Sequence, residues 1–213
     1  MYKKIPKNTI HRLPLYLSVL EQLAEESQNQ EEFFHSVDLE KLLNIKNSVI
    51  RKDLSYFGEF GVKGKGYNIV SLKTALKEIL DINVIKKTVI IGCGNIGTAL
   101  MKYPYFTKIN LNIAAGFDVN PKIINRKINK TPVYHIDRLV DFLNKEKIQF
   151  VILAVPVQAS KFILQDLITK TDIHGIINFT PIYLKVPKHI KVINSYISAK
   201  ILEMYFYLKN TNA

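Results

Sequence analysis

The six residues Gly92-Cys93-Gly94-Asn95-Ile96-Gly97 constrain this chain more tightly than any other stretch. An apolar run, Thr88–Ile91, precedes them and reads as a buried strand; they open a helix predicted over Asn95–Lys102. In such a strand–turn–helix unit the first glycine permits the tight turn and the second lets a pyrophosphate approach the backbone. The third lets the helix pack closely on the strand, and the helix start offers free N–H groups and partial positive charge. Asp118 follows about 20 residues on, at the end of the next strand, where a carboxylate accepts a hydrogen bond from a ribose 2′-OH. Gly92, Gly94, Asn95, Ile96, Gly97 and Asp118 are therefore candidate dinucleotide-binding residues. The same carboxylate would repel a 2′-phosphate, which favours NAD(H) over NADP(H), with Lys122 and Arg126 able to soften the preference. A Rossmann-like domain that binds coenzyme A, or nothing, would carry the same glycines.

The residues beyond the motif keep its rhythm. Leu111–Phe117 reads as a strand, Val133–Tyr134 as a short one, and Asp137–Lys145 as a helix. Phe150–Val155 is continuously apolar, as a parallel strand covered on both faces should be. Ala159–Ile168 is then a helix, with Gly175–Phe179 and Val192–Ile193 as further strands. This alternation predicts a doubly wound α/β domain with a parallel sheet. Ligands bind beyond the carboxyl ends of such strands, which makes Ala154-Val155-Pro156 and Asn178-Phe179-Thr180-Pro181 candidates. Ser198–Leu208 is an aromatic-rich helix whose Ile201, Leu202, Tyr205, Phe206 and Leu208 make an apolar surface wide enough to predict a partner.

The preceding residues follow a helical pattern instead. Thr9–Glu26 is a predicted helix with a stripe of Ile10, Leu13, Leu17, Leu20 and Leu23; Pro14 either begins a later helix or kinks an earlier one. Gln28–Glu32 reads as a loop, Ser36 as the N-cap of a short helix, and Asn44–Asn47 as a turn. In Asn47–Tyr67, NSVIRKDLSYFGEFGVKGKGY, Ser48 can cap a helix that places Val49, Ile50, Leu54 and Phe57 on one side. Arg51, Lys52 and Ser55 fall on the remaining arc, and Gly58 and Gly61 close the helix. The glycine–lysine alternation that follows lets backbone approach a groove wall or phosphate while lysines supply charge. Helix, short helix, turn, helix and glycine-rich ribbon is the order of a winged helix-turn-helix. A solvated surface helix followed by an ordinary hairpin would leave the same pattern. For DNA contact the candidates are Ser48, Arg51, Lys52, Ser55 and Tyr56 on the helix and Lys63, Gly64, Lys65, Gly66 and Tyr67 on the ribbon. Lys7 and Arg12 would add phosphate contacts from the first helix. Ser71–Leu80, capped by Ser71, is expected to bridge the two domains.

The string RKDLSYFGEFG followed by GKGYNI resembles the signature of the redox-sensing transcriptional repressor family Rex. IPKNTIHRLPLYL, GCGNIG, FDVNP, PVYHID, ILAVP, INFTP and LKVP resemble Rex segments in the same order, so the likeness covers nearly the whole chain. The resemblance implies a winged-helix DNA-binding domain over residues 1–82 and a Rossmann NAD(H)-binding domain over 83–195. It implies a helix over 196–213 exchanged between the subunits of a homodimer, and a repressor that NADH releases from palindromic operator DNA. It also implies that Tyr103 lies near the nicotinamide and that the two strand-end segments line the pocket. Three positions depart from the family pattern. Rex proteins often have a basic residue where Ser18 stands and an acidic one where Tyr196 stands, charges that can pair across subunits. Here that pair is absent, which implies coupling through other contacts, or weak coupling. Val49 stands where glutamine is common, which implies an altered operator preference.

Composition narrows the classes. A formal net charge of +12 suits a polyanionic partner. Residues 1–86, however, carry only about +2 and residues 87–213 about +10, so charge alone does not pick out the DNA-binding half. No apolar run approaches the roughly 20 residues needed to span a bilayer, and no secretory signal is expected. A single cysteine excludes an internal disulfide and a cysteine metal cluster, and fits a reducing cytoplasm. Cys93 lacks a thiol partner, and a redox switch would need an exposed, activated thiolate. His11, His35, His135, His174 and His189 form no metal or nucleophile pattern, so no metal site is expected. A dehydrogenase needs an acid or base facing the nicotinamide and a substrate pocket, yet only one helix follows the cofactor domain. A non-enzymatic regulator is therefore expected. An NAD-dependent oxidoreductase with a DNA-binding appendage, and a DNA-binding protein with weak or no redox coupling, are the alternatives.

Overall fold

The computed structural model describes residues 5–26 and 32–211, so the loop expected over Gln28–Glu32 lies outside the described residues except for Glu32. The chain divides into two compact units, Met1–Val84 and Ile85–Ala213.

The first unit runs α1 (Lys7–Glu26), β1 (Phe33–Phe34), α2 (Ser36–Leu43), α3 (Asn47–Ser55), β2 (Gly61–Val62), β3 (Gly66–Asn68) and α4 (Ile69–Ile79). Helix α1 begins well before Pro14, which sits inside it on the solvent side. Its buried face is Thr9, Leu13, Tyr16, Leu17 and Leu20; Ile10, expected in that stripe, is exposed. These apolar residues pack with Leu39, Ile50, Leu54, Leu72 and Leu76 into one core, each fully buried side chain stabilising by about 1.5–3 kcal/mol. The helix expected to bridge the domains, α4, thus contributes its buried face to this core.

None of the three serines expected as N-caps holds that position. Ser36 is the first residue of α2, capped by His35, whose N–H donates to Asp38 Oδ2 at 2.9 Å. Ser48 lies inside α3; Glu40 Oε2 instead accepts from the N–H of Asn47 at 3.2 Å and from its Nδ2 at 2.7 Å. A carboxylate from α2 therefore answers the positive end of the α3 dipole. Helix α4 is capped by Asn68, whose Oδ1 accepts the Ser71 N–H at 2.9 Å. Gly61 starts a strand rather than closing α3. Strand β3 pairs antiparallel with both β1 and β2, so the wing is a three-stranded sheet whose two-residue β1 carries no periodic signal. Gly66, at φ 90°, sits so close to the Phe34 carbonyl that no Cβ fits.

The second unit runs β4 (Lys86–Ile91), α5 (Asn95–Met101), α6 (Tyr105–Lys108), β5 (Leu111–Asp118), β6 (Lys127–Ile128) and β7 (Thr131–His135). It continues through α7 (Leu139–Glu146), β8 (Phe150–Leu153), α8 (Val157–Lys170), β9 (Gly175–Asn178), β10 (Lys191–Asn194) and α9 (Ile197–Thr211). The sheet order is β10-β9-β8-β4-β5-β7-β6, parallel throughout except for β6, which pairs antiparallel with β7. Val89 and Ile91 face one core with Phe117, Val151 and Leu153, while Ile90 and Ile152 face the other with Met101 and Val133. Both faces are covered, which is why these strands read as apolar without alternation. Strand β4 lies between β5 and β8, and the winding reverses there, producing the crevice at which doubly wound sheets bind ligands.

Candidate functional site

Beyond the carboxyl ends of β4 and β8 lies a cleft of about 610 Å³. Gly92 and Gly94 line it from the turn, Asn95 and Ile96 from the start of α5, Asp118 from the end of β5 and Val119 just after it, Ala154, Val155 and Pro156 after β8, and Phe179 and Pro181 after β9. The three glycines have different reasons to be there. Gly92, at φ 93°, presses on the Ala154 carbonyl and leaves no room for a Cβ. A Cβ on Gly97 would overlap the Gly92 carbonyl, so α5 sits directly on the turn and Gly97 lies behind the cleft wall. A Cβ on Gly94 would meet nothing within 4 Å; this glycine opens into the cleft, beside the start of α5. That leaves the space a pyrophosphate needs against helix N–H groups.

Asp118 is held from three sides. Its Oδ2 accepts the Cys93 N–H at 2.6 Å, and its Oδ1 accepts the Val119 and Asn120 N–H groups at 2.8 Å each. A carboxylate has about four lone-pair sites, so one hydroxyl can still be accepted. Cys93 is buried, its Sγ 3.7 Å from the Phe117 carbonyl oxygen. Burial, then the nearby Asp118 charge, pushes the thiol up to about 12, so it stays protonated near neutrality.

Some candidates act behind the cleft rather than in it. Asn178 is fully buried; its Nδ2 donates to the Ile182 carbonyl at 3.0 Å and to Asn194 Oδ1 at 2.9 Å, while its Oδ1 accepts the Thr180 N–H at 2.9 Å. With buried Thr180 it shapes the loop that presents Phe179 and Pro181. Tyr103 is exposed and packs edge-on against Phe106 at 5.2 Å, away from the cleft lining. Tyr196 donates its hydroxyl to the Ile182 carbonyl at 2.7 Å. Ala159 and Ile163, one turn apart on α8, line the cleft and were detectable from that spacing.

In the first unit Ser48, Arg51, Lys52 and Ser55 form the exposed arc of α3, with Tyr56 half-buried beyond it. Lys63, Gly64 and Lys65 are exposed at the tip of the wing, and Gly66 and Tyr67 are half-buried at its base, where Tyr67 stacks on Phe34 at 5.6 Å. A groove of about 430 Å³ between α3, the wing and the start of α2 is lined by Arg51, Lys63, Gly64, Gly66 and Tyr67 together with His35 and Ser36. Lys7 is exposed at the start of α1.

Arg12, expected on a phosphate, is directed elsewhere. Its Nε and Nη2 donate to Asp53 Oδ2 and Oδ1 at 2.6 and 2.8 Å. The same carboxylate accepts the Thr9 hydroxyl at 2.7 Å and the Tyr16 hydroxyl at 2.6 Å. Burial pushes Asp53 up, but the bonds from Arg12, Tyr16 and Thr9 outweigh it and hold the carboxyl below its usual range. Tyr16 is raised by burial and by Asp53, and the Arg12 guanidinium by its bonds to Asp53. Helical spacing carried the signal: Asp53 shares its face with Ile50 and Leu54, and Thr9, Arg12 and Tyr16 share a face of α1. Among the described residues no cluster could hold a metal ion, and no helix is long and apolar enough to cross a membrane.

Residues 83–182 match the family model described as "CoA binding domain", and residues 4–55 match "Putative DNA-binding protein N-terminus". The redox-sensing transcriptional repressor Rex of Bacillus cereus (strain AH187) is 35% identical over 208 residues, covering 98% of this chain and 97% of that protein. Its counterpart in Thermosipho africanus (strain TCF52B) is 38% identical over 202 residues, covering 95% and 96%. The crystal structure of RSP in complex with β-NAD+ and operator DNA superposes with a TM-score of 0.89 at 32% identity, covering 99% of this chain and 95% of that one. RSP with β-NADH gives 0.88 at 30% identity, covering 99% and 97%. With near-complete coverage at this level of identity, the chain belongs to the Rex family of redox-sensing transcriptional repressors.

Proposed function

We propose that the protein is an NADH/NAD+-sensing repressor that leaves its palindromic operator when NADH binds. One observation carries this reading: the same chain holds a switch-point cleft closed by Asp118 and, in a separate unit, a recognition helix with a cationic wing. That RSP is found with NAD+ and operator DNA, and with NADH, supports it. The turn from Gly92 to Gly97 would take the pyrophosphate and Asp118 the adenosine ribose, which favours NAD(H) over coenzyme A or NADP(H). Phe179 and Pro181 would face the nicotinamide half, with Asn178 and Thr180 as their supports; Tyr103 would come near it only from outside the cleft. Arg51 and Lys52 would reach base edges or phosphates from α3, with Ser48, Ser55 and Tyr56 beside them. Lys63 and Lys65 would follow the minor groove or backbone, and Lys7 a flanking phosphate.

The exposed Ile201, Leu202, Tyr205 and Phe206 of α9 favour a homodimer that covers this helix. Among the described residues lining the cleft Asp118 alone carries an ionisable side chain, and three amides already hold it. Among the described lining residues no other side chain could act as general acid or base; that favours binding over turnover, and an operator-binding protein would act in the cytoplasm. Coupling is linkage: if NADH prefers a dimer that spaces the recognition helices wrongly, operator DNA weakens NADH binding by the same factor. One observation favours weak coupling instead, since Tyr196, where the family often has an acid, is satisfied within its own chain. Titrating operator duplex at fixed salt with NADH, with NAD+ and with neither tests the proposal. Tight binding that NADH weakens is expected; equal affinity in all three would remove the sensing function.

A further inference from the structure

The groove between α2, α3 and the wing holds a side chain that neither the core nor the recognition surface explains. Ser36 is the first residue of α2 and about nine-tenths buried, yet its hydroxyl has no hydrogen-bond partner among the described residues. Every fully enclosed polar side-chain atom among the described residues is satisfied, so the Ser36 oxygen must open to solvent, and the opening it lines is the groove. A hydroxyl that has no protein acceptor and meets solvent only through this opening is free to donate to an acceptor supplied from outside.

The surroundings specify the acceptor. Ser36 stands on the first turn of an eight-residue helix, whose leading amides lack intrahelical acceptors and whose dipole favours an anion. Across the groove stand Arg51 of α3, whose Nη2 donates to Asn47 Oδ1 at 3.4 Å, and Lys63 of the wing. Gly64, whose absent side chain leaves open space, and Gly66, packed against the Phe34 carbonyl, form the remaining wall, and His35 also lines the groove. The one carboxylate on this turn, Asp38, is not part of the lining and is engaged by the His35 N–H.

We infer that Ser36 and the first turn of α2, with Arg51 opposite, form a notch for one phosphodiester group of the duplex, clamping the strand that runs between recognition helix and wing. The inference rests on the DNA-binding reading above. Its contribution is independent of base sequence, because a backbone phosphate is the same at every step.

The test is a two-way substitution on protein and DNA. Operator duplexes carrying a neutral methylphosphonate at single backbone positions are titrated against the full-length wild-type protein and Ser36→Ala at fixed salt. Wild type should lose about tenfold at one position per half-site, the scale of a hydrogen bond to a charged group. Ser36→Ala should lose a similar factor on unmodified DNA and little more at that position, the non-additivity that marks a direct contact. Additive losses at every position overturn the notch while leaving DNA binding intact; absence of operator binding by wild type would instead overturn the DNA-binding reading. A merely structural role is separated by Ser36→Asp. An acid at the first helical position should keep or raise the melting temperature while binding DNA more weakly than Ser36→Ala. Equal loss of fold and binding in both variants counts against the notch.

Discussion

Arg12 grips Asp53 through two parallel hydrogen bonds, Nε to Oδ2 at 2.6 Å and Nη2 to Oδ1 at 2.8 Å, tying the first helix to the recognition helix. Thr9 and Tyr16 add to the same carboxylate, so α3 is positioned by a polar cluster as well as by Ile50 and Leu54. Asp53→Ala would leave a guanidinium without its partner and should destabilise the first unit by about 3–5 kcal/mol. Arg12→Lys, which cannot reproduce the two-bond fork, should cost less, about 1–3 kcal/mol. Both should weaken operator binding while NADH affinity stays within twofold. Equilibrium unfolding and the two titrations decide it, and unchanged stability in Asp53→Ala would refute the cluster.

Acid should act on this unit through the same carboxyl. Because its folded-state value is depressed, its contribution is complete above the ordinary carboxylate value of about 3.9 and fades as pH falls through the lower folded one. The stability gap between wild type and Asp53→Asn should therefore be constant from pH 7 to about 5 and close below about 4. Hydrogen exchange in α1 and α3 across that range measures it. A gap that persists at the acid end would assign the stabilisation to something other than ionised Asp53.

Two glycines of the turn between β4 and α5 should separate stability from binding. Gly97→Ala drives a methyl into the Gly92 carbonyl and should destabilise the second unit by about 3 kcal/mol or more, through overpacking. Gly94→Ala meets no protein atom and should leave the melting temperature nearly unchanged while weakening NADH at least tenfold. Identical stability losses in the two variants would mean that the turn does not have the packing described.

These glycines show how much was legible in the residues. The strand–helix alternation and the turn were readable because buried parallel strands must be apolar on both faces, as Val89, Ile90 and Ile91 are. Caps were misread for two reasons: Glu40 reaches α3 from another helix, a partner local sequence does not show, whereas His35 and Asn68 are local caps lying just before the serines expected. Arg12 misled because a cation near a recognition helix suggests a phosphate, whereas its acceptor was an acid hidden on an apolar face. The lining of the cleft was partly readable from strand ends; that Asn178 turns inward depends on Asn194, sixteen residues away.

Cys93 should be silent in redox chemistry. With its thiol pushed up to about 12, folded protein should resist thiol-directed reagents at pH 8 and become labelled on unfolding. Cys93→Ala should retain its response to NADH. Rapid labelling of the native state, or loss of the NADH response in the variant, would make the thiol part of the sensor.

Separate sites predict separable losses. Lys52→Ala should lower operator affinity about tenfold and reduce the salt dependence while sparing NADH. Asp118→Ala should weaken NADH and leave DNA binding without nucleotide within about twofold. Comparable loss of both ligands in Lys52→Ala, or unchanged nucleotide affinity in Asp118→Ala, would contradict the division.

The Ile182 carbonyl accepts from Asn178 at the end of β9 and from Tyr196 at the root of α9, so both of its lone pairs are engaged. A loop pinned at one atom by two elements transmits displacement as a lever does about its pivot. A displacement of Phe179 and Pro181 that shifts Ile182 would move the start of the last helix or break one of these two bonds. The start of α9 and the mouth of the cleft thus share one hinge within a single chain.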